Sequence, residues 1–160
     1  MEFVEVLVRG IALDEERKHP VVLLKSDDDD GILPIWIGTA EATAIFTALA
    51  AKSFERPMTH DLLKILVDVL GAVVERIEIT GIQSDTYFAR IVLKRGDDVF
   101  YVDARPSDSI ALALRAGAPL LIERELFNTY KRGIDLGADE DDLRKRLKEL
   151  DPGNFGDLDT

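Results

Sequence analysis

The sequence predicts an α+β domain, mixed β-sheets with packed helices, and three observations lead there. Residues 4–12 (VEVLVRGIA) and 74–83 (VERIEITGIQ) alternate apolar and polar side chains at the two-residue period of a strand, and both reach a Gly-Ile pair, Gly10-Ile11 and Gly81-Ile82. Each run is followed by further strand-like segments around an acidic turn, and each series ends in an alanine-rich apolar helix. The order strand, strand, hairpin, strand, helix thus occurs twice, which predicts an internally duplicated unit with copies at about residues 1–52 and 74–117.

Taken in chain order, 21–25 (VVLLK) and 32–37 (ILPIWI) are the second and third strands of the first copy, and SDDDDG between them closes the hairpin. Residues 41–52 form its helix. A connecting helix is predicted over 59–71, with Thr59 as its cap, Asp61 in its first turn and Gly71 at its end. Its apolar residues Leu62, Ile65, Leu66, Val69 and Leu70 fall on one face. In the second copy 89–94 (ARIVLK) and 99–103 (VFYVD) pair across the turn RGDD, and residues 108–116 form the helix. A short strand at 119–122 and a helix at 123–131 follow. The domain is placed at 1–135, and 136–160 is read as a charged helix (139–150) with an acidic tail.

A chain of 160 residues can bury a real core without staples, and the absence of cysteine excludes disulfides, cysteine nucleophiles and thiolate metal sites. No apolar stretch reaches membrane-spanning length, and the N-terminus MEFVEVLVRG has neither the basic start nor the apolar run of a signal peptide, so a cytoplasmic, membrane-free protein is expected. The formal net charge is -11, which repels nucleic acid unless basic residues are gathered locally. Arginine exceeds lysine, 12 to 8, and aspartate exceeds glutamate, 19 to 12, a bias that fits a high-salt habitat.

The feature that points to chemistry is a pair of Arg-Pro segments that each run into a helix, Arg56-Pro57-Met58-Thr59-His60-Asp61 and Arg105-Pro106-Ser107-Asp108. Proline stiffens the entrance, Thr59 or Ser107 can satisfy free amides, and a helix N-terminus beside arginine makes an anion-binding corner. For phosphodiester hydrolysis, Arg56 and Arg105 would hold phosphate, Asp103 and Asp108 would bind Mg²⁺ or Mn²⁺, and His60 or Asp61 would transfer protons. The competing explanation of the same residues is helix capping and internal ion pairing. His19 falls in an expected loop, and Asp27–Asp30 lacks the ligand spacing of a calcium loop; neither is given a function. No G-x-G-x-x-G, Walker, G-x-S-x-G or H-E-x-x-H motif is present.

At these residues the chain resembles the bifunctional nuclease family, a domain of bacteria and plants named for members that degrade DNA and RNA. The segments that carry the resemblance are LPIWIGTAEATAI (33–45), RPMTHDLL (56–63), YFARIVL (87–93) and the distinctive DARPSDSIALALR (103–115). The family's usual alanine after the aspartate of the last segment is Ser109 here, a change expected to leave the helix start intact. The resemblance implies a nuclease acting on DNA or RNA, while the acidic balance keeps open a non-catalytic regulatory or assembly module that pairs as a homodimer or takes a small ligand.

Overall fold

The computed structural model of the chain describes residues 1–133, so the helix expected at 139–150 and the whole of 136–160 lie outside the described residues. Seven strands form one mixed sheet: β1 Phe3–Asp14, β2 His19–Lys25, β3 Ile32–Trp36, β4 Val73–Gln83, β5 Thr86–Arg95, β6 Asp98–Ala104 and β7 Leu120–Glu123. Among the described residues four helices accompany it: α1 Thr39–Leu49, α2 Thr59–Val69, α3 Pro106–Ala116 and α4 Arg124–Tyr130. The fold class is α+β, as the sequence predicts.

The strand order is β3-β2-β1-β7-β4-β5-β6. The short β7 joins the halves, antiparallel to β1 through Val4↔Ile122 and parallel to β4 through Ile77↔Leu120. On each side lies a three-stranded antiparallel meander that runs into a helix, β1-β2-β3 into α1 and β4-β5-β6 into α3. Both first strands bulge one residue before the glycine of the Gly-Ile pair, at Arg9 and at Thr80. The two halves match in order; a duplicated origin is not something strand order shows. Pro34 fits because β3 is an edge strand, where a missing N–H costs no ladder bond on the open side.

α3 is the central helix, packed against α1 and α2 and lying on β4 and β5. Its Ser109, Ile110, Ala111, Leu112 and Ala113 are all buried, and the small residues among them let neighbouring elements approach from more than one side. Ser109 leaves the helix start intact, since its hydroxyl donates to the Arg105 carbonyl at 2.9 Å.

The shared apolar face of α2 is turned to solvent: Leu62, Ile65, Leu66, Val69 and Leu70 are 48%, 43%, 49%, 75% and 66% exposed, and Val67 is the buried residue of the helix. Amphipathicity shows which side of a helix is apolar, not whether a layer remains to cover it. The caps differ from those expected. Neither Thr59 nor Ser107 caps its helix; the caps are Met58 and Arg105, and in α2 the Asp61 carboxylate reaches back to accept from the Met58 N–H at 2.9 Å.

Candidate active-site array and cleft

All three larger helices carry an acid three residues after the cap: Glu41 after Gly38, Asp61 after Met58 and Asp108 after Arg105. This is the position that the positive end of the helix dipole favours. Each acid is also bound by an arginine of α3 or its cap. Arg105 donates from Nη2 to Glu41 Oε1 at 2.8 Å and from Nε to Asp108 Oδ2 at 2.7 Å. Arg115 donates from Nε to Asp61 Oδ1 at 2.6 Å and from Nη2 to Thr47 Oγ1 at 3.5 Å, which ties α3 to both α2 and α1.

The first of these chains ends on histidine. His60 Nε2 lies 2.9 Å from Asp108 Oδ1, so the two Arg-Pro entrances meet through their side chains, as Glu41–Arg105–Asp108–His60. Asp108 is an obligate acceptor when ionised, so the geometry places a proton on Nε2. Burial pushes the Asp108 carboxyl up, but the Arg105 and His60 bonds outweigh it and hold the group below its ordinary value. Asp61 is lowered mainly by Arg115 and then by the Met58 N–H. Asp108 and Glu41 keep the Arg105 guanidinium firmly in its charged form.

The structure therefore brings His60, Arg105 and Asp108 together and places Asp61 in the neighbouring Arg115 pair. Arg56 stays outside both chains, exposed in the bend before α2. Asp103 sits near the end of edge strand β6, exposed and in register with Arg90 of β5. As arranged, these residues are a poor match to a resident divalent ion. Both Asp108 oxygens already face nitrogen donors, and among the described residues no group of three or more His, Asp or Glu is gathered for a metal.

Arg105 has a second setting that sequence reading missed. It lies 65% exposed on the wall of a cleft of about 670 Å³, framed by the β1–β2 and β4–β5 hairpin tips and by the starts of α1 and α3. Arg17, His19, Trp36 and Arg132 line the same cleft, so His19, set aside as a loop residue, stands in its wall. The second tip was unreadable because its two-residue turn is Ser84-Asp85, both at positive φ (49° and 59°), where Asn-Gly or Asp-Gly is the usual signal.

A family model described as the bifunctional nuclease domain matches residues 22–134, a span that contains the whole Glu41–Arg105–Asp108–His60 chain, Trp36 and Arg132. The chain belongs to the bifunctional nuclease domain family. An uncharacterised protein of Mycobacterium tuberculosis is 40% identical over 119 residues, covering 74% of this chain and 71% of that protein. Bifunctional nuclease 2 of Arabidopsis thaliana is 30% identical over 156 residues, 94% of this chain and 46% of the plant protein. Bifunctional nuclease 1 of Oryza sativa subsp. japonica is 27% identical over 124 residues, 76% of this chain and 37% of that protein. This bifunctional nuclease domain thus spans less than half the length of those plant relatives. Among the described residues no helix is long and apolar enough to cross a membrane.

Proposed function

We propose that this chain is a nuclease that hydrolyses phosphodiester bonds of nucleic acid at the junction of the cleft and the histidine array. The observation that carries the reading is the double position of Arg105, which borders the cleft and is joined through Asp108 to His60. In this mechanism Arg105 holds a phosphate and offsets the charge that develops on it during transfer. Asp108 orients His60 through Nε2, and Nδ1 takes the proton of the attacking water. Asp61 acts through Arg115 to set the α2–α3 spacing rather than on substrate. A divalent ion, Mg²⁺ or Mn²⁺, would supply further charge neutralisation at the phosphate.

The reading is supported by family membership and by the plant relatives, both of which are named bifunctional nucleases. Its test is cleavage of a labelled oligonucleotide by the purified protein, with and without EDTA. His60→Ala is expected to slow cleavage by about 10²–10⁴-fold, the range for loss of a positioned acid or base, and Arg105→Ala by about 10²–10³-fold, the range for loss of one charge-stabilising donor, with thermal unfolding still cooperative. Undiminished cleavage in both variants rejects the assignment, and EDTA resistance withdraws the metal. A second reading, a non-catalytic module, is favoured by one observation: Asp108 and Asp61 are engaged by Arg105, His60 and Arg115 within the fold. It expects the same substitutions to lower stability in a protein with no cleavage to lose.

A further inference from the structure

The cleft has a composition unlike that of the chain around it. The protein carries a formal charge of -11, yet Arg17, Arg105 and Arg132 all line this one concavity, with Asp85 as the acidic residue of its wall. Two rings are held there with open surface, Trp36 at 40% and Tyr130 at 37% exposed. Trp36 is held in place on two sides. Its Nε1–H donates to Asp14 Oδ2 at 2.8 Å, and the Arg17 guanidinium lies 4.9 Å from the ring centroid. Tyr130 is steadied by an edge contact with Tyr87, their centroids 6.2 Å apart. An ordinary folding core would bury such rings, and an ordinary solvated hairpin tip would not preorganise a tryptophan.

We infer that this cleft is a binding site for single-stranded nucleic acid, in which unpaired bases stack on Trp36 and Tyr130 while Arg17, Arg105 and Arg132 meet the phosphates. Fixed aromatic faces beside cations match the two repeating parts of such a strand, flat bases and a charged backbone. A duplex hides its base faces within the stack and brings a second row of phosphates against an acidic surface. A cleft of about 670 Å³ also lies in the size range of built ligand pockets. The inference rests on the nuclease reading for its biological sense, because Arg105 carries the strand from the cleft to the His60 array. It also supplies what that reading lacks, a site that distinguishes one form of nucleic acid from another.

The test uses fluorescence anisotropy of a labelled oligothymidylate, with Trp36→Phe, Trp36→Ala, Arg17→Ala and Arg132→Ala compared with the unaltered chain in EDTA. Trp36→Ala and the two arginine substitutions are each expected to weaken binding by about tenfold or more, whereas Trp36→Phe, which keeps an aromatic face, holds within a few-fold. Because Trp36 is the only tryptophan of the chain, saturable quenching of its emission by the same strand gives a second readout of stacking. Binding unchanged in Trp36→Ala and Arg132→Ala overturns the inference. So does a blunt duplex that binds as tightly as the strand, and so does a mononucleotide that competes at equal concentration, which would make the cleft a nucleotide pocket. Failure of the parent reading looks different: strand binding that depends on Trp36 with no cleavage under any condition removes the nuclease and leaves this site standing. Cleavage that depends on His60 but not on Trp36 does the reverse.

Discussion

Asp108 carries two opposed electrostatic effects, and their sign decides its behaviour with pH. Burial raises its pKa, whereas Arg105 and His60 lower it by more, so the folded chain holds the carboxyl below its ordinary value. A depressed carboxyl contributes stability that is fully present above its unfolded pKa, near 3.9, and is lost as pH falls through the folded value. Asp108→Ala should therefore destabilise the protein at neutral pH by about 1–2 kcal/mol, the lower end for a charged hydrogen bond, because Arg105 is 65% exposed and regains water. Urea midpoints of the variant and the unaltered chain are expected to converge below about pH 4; a gap that stays constant to pH 3 would show that the ion pair is not its source. At this scale the sequence was readable in part. Asp61 and Asp108 were visible near the helix starts, but their partners were not, because Arg115 lies 54 residues from Asp61 and Glu41 lies 64 from Arg105.

Helix α2 shows the limit of pattern at the scale of an element. Its period of apolar residues is genuine, and its existence and bounds follow from the sequence, yet the stripe points outward because α3 already lies on β4 and β5 and α2 packs mainly against α3. Val69 is 75% exposed, so Val69→Lys should change folding stability by less than about 0.5 kcal/mol by chemical denaturation. A loss several times larger would mean that this face is covered in solution. The homodimer expected from the sequence would have this stripe as its natural seam, and sedimentation equilibrium of the same variant tests that: a dimer that dissociates on substitution assigns the seam, and a monomer throughout withdraws it. The strands were more legible than the helix faces, since β1, β2, β4 and β5 alternate or run apolar as their burial requires, although the apolar run of edge strand β6 is exposed.

Charge is the property of the whole molecule that any nucleic-acid reading must answer. A surface at -11 repels a polyanion, so attraction must come from the few cations that the fold gathers. With three arginines in the cleft, each meeting about one phosphate, the slope of log K against log salt for a single strand should be about −2. A much steeper slope in filter binding or anisotropy would place the contact on a broader basic surface outside the cleft.

Local order was determined by the sequence alone: the class α+β, the succession of elements along residues 1–133, the two Arg-Pro helix entrances and the family they mark. These depend on period, turn chemistry and capping, which act within a few residues. Tertiary structure decided which side of α2 meets solvent, that His60 meets Asp108, and that Arg17, Trp36 and Arg132 share one cleft. Those outcomes depend on how a seven-stranded sheet folds distant segments onto common walls, and no local pattern encodes a neighbour that lies a hundred residues away.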